Sequence, residues 1–162
     1  MTIFEAKQFG NKEINSPTTS LDVNCILEYI TGFSKTQLLL NSKNELSVEQ
    51  ESIFLEAIKK RQTGLPIAYI TGHKEFYGYD FFVTPDVLIP KPDTEILVEK
   101  TLDVIWNNSF YKNNDFFFTD VCTGSGCIAI ALKKRLHNAT VTAIDLSDKA
   151  LEIATENTQR LM

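Results

Sequence analysis

A chain of 162 residues is long enough for one good-sized domain or two small ones, and 43% hydrophobic content suits a protein that buries a core. A formal charge of -5 and a pI near 5.1 give no electrostatic footprint for DNA or RNA. The opening MTIFEAKQFG lacks the basic-then-apolar pattern of a secretion signal, and nothing approaches the roughly 18 apolar residues of a membrane span. A cytoplasmic protein is therefore expected. Three cysteines, Cys25, Cys122 and Cys127, exclude a full disulfide framework, and their spacing offers no zinc knuckle, so no metal site is expected.

Residues 1 to about 18 are polar, carry Gly10, Asn15, Ser16 and Pro17, and read as a loose lead-in or a short frayed helix. Leu21, Val23, Ile26, Leu27 and Ile30 then recur at helical spacing between Ser20 and Gly32. KTQLLL after Ser34 is a second short helix. Ser47 opens the strongest helix, in which Glu49, Glu51 and Glu56 lead and Lys59, Lys60 and Arg61 trail, as the helix dipole prefers. After Pro66 the period changes, and HKEFYGYDFFVTP alternates around Gly78 like a two-stranded hairpin. Pro90 and Pro92 mark an extended segment, followed by a helix capped by Asp93 or Thr94 that carries Ile96, Leu97, Leu102 and Ile105. NNSFYKNND reads as a polar connector. Beyond it the chain alternates strand (116–120), helix (about 126–136), strand (140–144) and helix (147 onward), which implies parallel strands in an α/β fold.

The stretch DVCTGSGCIAIAL places a small-residue turn at the carboxyl end of a buried strand, where open α/β sheets bind ligands. Gly124 and Gly126 let a ligand approach the backbone, and the free amides of the following helix favour an anionic group. Asp145 ends the next strand, about twenty residues on, where an acid accepts the hydroxyls of a ribose. GSGCIA equally fits the dinucleotide pattern G-x-G-x-x-A. Asp120 favours another ligand: a carboxylate there repels a pyrophosphate in a low-dielectric cleft and attracts an ammonium and a sulfonium. S-adenosylmethionine carries both, with a carboxylate for the helix start and a ribose for Asp145.

The segments GLPIAYITGHKEFYGYDFFVTPDVLIPKPDTEILVE, DVCTGSGCIAIAL and VTAIDLSDKALEIATEN resemble the peptide chain release factor glutamine N5-methyltransferase family, the HemK type, over roughly Leu21 to Met162. PIAYITG, EFYG and LIPKPDTE are its most specific pieces. The resemblance implies a small helical N-terminal domain for release-factor recognition (residues 1–72), a β-hairpin linker (73–92) and the first β-α-β-α part of a class I Rossmann-like methyltransferase domain (93–162). It further implies methyl transfer from S-adenosylmethionine to the side-chain amide of the glutamine in the Gly-Gly-Gln motif of release factors. The cofactor-binding residues carried over are Asp120, Cys122, Thr123, Gly124, Ser125, Gly126 and Asp145, with the IPKP stretch near the mouth. A protein substrate, no membrane, no nucleic acid and a monomeric complete enzyme are expected. Two departures stand out. Cys122 replaces the pattern's first glycine, which a thiol tolerates if the backbone there needs no positive φ. The family's Asn-Pro-Pro-Tyr loop is absent from the sequence, so the chain reads as a truncated N-terminal portion without its catalytic loop, expected to be inactive alone and weakly ordered or self-associating from about residue 115. Another class I methyltransferase, acting on nucleic acid or a small molecule, and a non-catalytic release-factor-binding module are the alternatives.

Other chemistry-bearing residues read as structural. His73 and His137 have no partner at catalytic spacing. Asp93 and Glu95 at a helix start suit capping, Lys133 to Arg135 suit a solvated helix end, and Tyr77, Tyr79, Phe81 and Phe82 suit a hairpin core.

Overall fold

Three N-terminal helices open with the same device, a hydroxyl that accepts the amide of the third helical residue while that residue's side chain reaches back. Thr2 and Glu5 do this for α1 (Ile3–Glu13), Ser34 and Gln37 for α3 (Lys35–Leu40), and Ser47 and Gln50 for α4 (Val48–Gln62). The computed structural model describes the backbone of residues 1–162 and every side chain except those of Lys112 and Asn113. It divides into two compact units, Met1–Thr71 and Gly72–Met162.

The first unit is helical. The segment expected as a frayed lead-in is instead α1, and it buries Ile3, Ala6 and Gly10. Gly10 reads as a breaker in the sequence, but here it admits a neighbour: a Cβ at this position would lie 2.7 Å from a Val23 methyl. Val23 belongs to α2 (Thr19–Thr31), which ends at Gly32 in the left-handed region. A short α5 (Ile67–Thr71), unforeseen, follows Pro66. Ile3, Val23, Ile26, Leu27, Leu38, Phe54 and Ile58 form the core of this unit. Asp22, only 5% exposed, would be costly there alone. It receives Arg61 Nε at 2.8 Å and the Thr18 hydroxyl at 3.0 Å, and Arg61 also donates to Ser16 Oγ and the Leu65 carbonyl. This pair ties α4 to α2.

The second unit begins with β1 (His73–Phe76) and β2 (Tyr79–Phe82), paired antiparallel. Tyr77 and Gly78 both have positive φ, 53° and 78°, the backbone of the two-residue turn whose twist matches that of a hairpin. Carboxylates satisfy the tip: Tyr77 N–H donates to Glu95 at 3.1 Å and Gly78 N–H to Glu75 at 2.6 Å. Glu95 thus clasps the hairpin. The expected cap at Asp93 or Thr94 is replaced by a 3-10 turn, Pro92–Thr94, that runs into α6 (Glu95–Trp106) with no side-chain cap. The expected polar connector contains a short α7 (Ser109–Asn113), opened by Asn108. Then come β3 (Phe116–Val121), α8 (Cys127–Arg135), β4 (Ala139–Ile144) and α9 (Asp148–Leu161).

β3 and β4 pair in parallel from Phe116↔Ala139 to Val121↔Ile144, so their carboxyl ends are flush. Phe116 and Ala139 are buried on one face, while Phe117, Val121 and Ile144 lie exposed on the other. The hairpin, expected as a linker, groups with this unit. Phe76 and Phe81 are fully buried and meet edge-on at 6.1 Å. The end of α8 is not simply solvated: Lys134 lies over the Tyr79 ring and Arg135 over the Tyr77 ring, at 5.0 and 5.5 Å, while Lys133 donates to the carbonyls of His137 and Ala139. Among the described residues no helix is long and apolar enough to cross a membrane.

Arg61→Leu strands the buried Asp22 carboxylate. The expected loss is about 3 kcal/mol, read from the urea transition of the helical unit; an unchanged midpoint contradicts the role given to this pair.

Candidate functional site

The flush ends of β3 and β4 bring two loops together, and hydrogen bonds tie them. Thr123 N–H donates to the Ile144 carbonyl at 3.0 Å, one step past the last strand pair. Gly124 N–H donates to Asp145 Oδ2 at 2.9 Å, and Ser147 N–H donates to Asp145 Oδ1 at 3.0 Å. The Asp145 carboxylate therefore bridges the turn after β3 and the start of α9. The Ser147 amide first, then the Gly124 amide, hold its pKa below the ordinary carboxylate value. Asp120, the next-to-last residue of β3, accepts the Thr123 hydroxyl at 2.7 Å. Asp120, Thr123, Gly124 and Asp145 thus form one hydrogen-bonded group around the turn.

The glycines of this turn differ in use. Gly124 (φ 55°) has nothing within 4 Å of where a Cβ would stand, so its face is open to a ligand. Gly126 (φ 78°) is closed: a Cβ would come 3.2 Å from Ala154 Cβ and Ile130 Cδ1. It lets α9 pack directly on the turn. Cys122, the residue in place of the pattern's glycine, is exposed and has φ 62°. The condition under which a thiol is tolerated without strain is not met, because a side chain in the left-handed region crowds its own carbonyl.

Cys127 is buried, and burial pushes its thiol up. The neighbouring Ser125 hydroxyl pulls weakly the other way, but sulfur is a poor acceptor, and Ser125 Oγ has no hydrogen bond of proper geometry although fully buried. The first-turn amides of α8 have no helical acceptors of their own, so the turn presents donors at its helix start and carboxylates on either side. That donor set fits S-adenosylmethionine: amides for a carboxylate, Asp120 for cationic groups, Asp145 for ribose hydroxyls and an open Gly124 face for contact.

The other candidates fall elsewhere. His73 pairs with Asp80 in the hairpin at 2.7 Å, Glu95 holds the hairpin tip, and His137 is exposed beyond α8. Among the described residues no group of His, Cys, Asp or Glu could hold a metal ion. Asn157 was not foreseen. It is fully buried and donates to the carbonyls of Phe82 and Ser125, both at 2.9 Å, while accepting Phe82 N–H at 2.7 Å. Its signal lay in the spacing Ala150, Ala154, Asn157, the buried stripe of α9, where an amide must have partners.

Strand, glycine turn, helix, strand and acid, in this order and geometry, are the opening of a class I methyltransferase fold. Residues 6–72 match the model of the PrmC N-terminal domain, and residues 100–161 match that of ribosomal protein L11 methyltransferase (PrmA). The chain is 40% identical to the release factor glutamine methyltransferase of Koribacter versatilis over 99% of its own length and 57% of the relative's. For those of Chlorobaculum tepidum and Leptospira interrogans the identities are 38% and 35%, over 92% and 100% of this chain and 50% and 55% of theirs. The chain is thus related to the release factor glutamine methyltransferases across its whole length. It spans about half the length of these curated relatives.

Two outcomes follow from the turn. Cys122→Gly is expected to stabilise the second unit by about 1 kcal/mol, the left-handed cost less the freedom glycine adds to the unfolded chain; a lower denaturant midpoint contradicts the strain. Because the Asp145 pKa is lower folded than unfolded, its contribution is present above the ordinary carboxylate range and lost as pH falls through the folded value. The stability gap between wild type and Asp145→Asn should therefore shrink on acidification, and a gap independent of pH contradicts the bridge.

Proposed function

We propose that residues 1–162 carry the cofactor-binding part of an S-adenosylmethionine-dependent methyltransferase whose acceptor is the side-chain amide of the glutamine in the Gly-Gly-Gln motif of a peptide chain release factor. The observation that carries the cofactor is the Asp145 bridge: an acid at the end of β4 bonded to a turn whose Gly124 face is open. The acceptor rests on the names of the relatives and on the match of residues 6–72 to a PrmC N-terminal domain.

When bound, the cofactor supplies an electrophilic methyl group on a sulfonium. The residues of this chain bind and orient. Asp145 keeps lone pairs for ribose hydroxyls on the two oxygens that already receive amides, and its fixed position costs no reordering on binding. Asp120, held by the Thr123 hydroxyl, presents negative charge to the cationic groups, and the start of α8 presents N–H donors to a carboxylate. The same Asp120 opposes a pyrophosphate, which disfavours the dinucleotide reading. A neutral amide is a weak nucleophile, so orienting its nitrogen is the main help a protein gives it. Residues 1–162 contain no Asn-Pro-Pro-Tyr, and their part is to hold the cofactor, not to orient the amide nitrogen.

Calorimetry on this chain is expected to show binding of S-adenosylmethionine and none of NAD, with affinity weakened about ten-fold or more by Asp145→Ala, the scale of lost hydrogen bonds to a charged acceptor. Binding of NAD alone rejects the cofactor. Retention of an unmodified release factor on the immobilised chain supports the acceptor, and failure to retain any release factor counts against it.

A further inference from the structure

We propose that Asn157 is a positioning residue that holds the glycine turn in its binding shape by fastening it to β2, a proposal that rests on the cofactor-binding reading of that turn. The hydrogen bonds of Asn157 go to Phe82 and Ser125 and to neither acid. It works from behind.

Its side-chain amide forms a two-bond ring with the backbone of Phe82, donating to the carbonyl at 2.9 Å and accepting the N–H at 2.7 Å. In this way it continues the β2 edge as another strand's peptide would. Its second N–H donates at 2.9 Å to the carbonyl of Ser125, between the two glycines of the turn. Asn157 is 0% exposed; its bond to Ser125 is buried, and the two to Phe82 are partly so. One helical turn earlier, Ala154 packs against Gly126, where a Cβ would come 3.2 Å from the Ala154 methyl. The turn is therefore pinned at two adjacent residues, by packing at Gly126 and by a hydrogen bond at Ser125. Glycine-rich backbone has the most conformational freedom to lose on ordering, so an anchor that removes this freedom before a ligand arrives raises affinity without touching the ligand. It also makes the hairpin a support for the turn.

Aspartate at this position keeps the acceptor for Phe82 N–H but sets an anion against two carbonyls. Alanine removes every bond without adding charge, and carries the test should the aspartate variant not fold. Leu102→Ala, in the buried stripe of α6, serves as a variant of comparable stability loss. Two quantities are read on the chain: affinity for S-adenosylhomocysteine, and hydrogen exchange at Gly126 N–H, which donates to the Thr123 carbonyl at 2.9 Å, in the ligand-free protein. The Asn157 variants are expected to weaken affinity about ten-fold and to speed exchange at Gly126, while Leu102→Ala at matched melting temperature does neither. Equal affinity and equal exchange in the Asn157 and Leu102 variants overturn the proposal. If the wild-type chain binds no S-adenosylhomocysteine, the cofactor reading fails by itself. The exchange rates then decide alone whether Asn157 fixes the turn: faster at Gly126 upholds it, unchanged overturns it.

Discussion

The second unit is organised around one carboxylate. β3 and β4 are paired in parallel, and parallel strands are joined by a crossover rather than a tight turn, so nothing local fixes the loops that leave their carboxyl ends. Asp145 supplies that fixation by accepting Gly124 N–H on one oxygen and Ser147 N–H on the other. It turns two flush strand ends into a single rigid rim. Without it, Gly124 would lose the hydrogen bond that holds its amide, at a residue type with a wide dihedral range to sample. The proposed ribose contact and the structural bridge are then properties of the same two oxygens, which is why the acid belongs at the end of β4 and nowhere else along it.

Around this rim, side chains brace the small sheets of the unit. Its four strands form two separate two-stranded sheets, each too small to hold itself together in water. The hairpin is held at its tip by Glu95, along its outer edge by Asn157, and beneath the cations of Lys134 and Arg135 through its two tyrosine rings. Each of these contacts comes from a helix of the second unit, so a segment that resembles a linker in sequence acts as an integral layer of that unit.

What could be read from the sequence followed periodicity. α2, α4, the hairpin and the β-α-β-α run are each marked by apolar spacing and by Gly or Ser at their ends, and the structure has all of them. That Asp120, Gly124 and Asp145 lie together was legible because glycines and acids at strand ends are set by local backbone geometry. Misreadings fell where a residue does something other than its usual job. Gly10 looks like a breaker but is a contact point for Val23, so α1 was read as frayed. Cys122 is tolerated only where φ is not positive, and it stands at φ 62°, which no side-chain pattern reveals. Lys134 and Arg135 look solvated because their aromatic partners lie more than fifty residues earlier in the chain. Asn157 was missed for the same reason, as its meaning depends on Phe82.

That last separation bears on how the molecule is made. The hairpin closes over a two-residue tip and forms from neighbours, whereas the ring between Phe82 and Asn157 joins residues 75 apart. Closing so long a loop costs entropy that short contacts do not, and ordering of this kind comes late in folding. On the ribosome β2 emerges long before α9 and must wait with its outer edge unpaired. The glycine turn gains its bond from Asn157 only once the helix that carries this residue has been synthesised, so Ser125 stays without that partner until late in the synthesis of this segment.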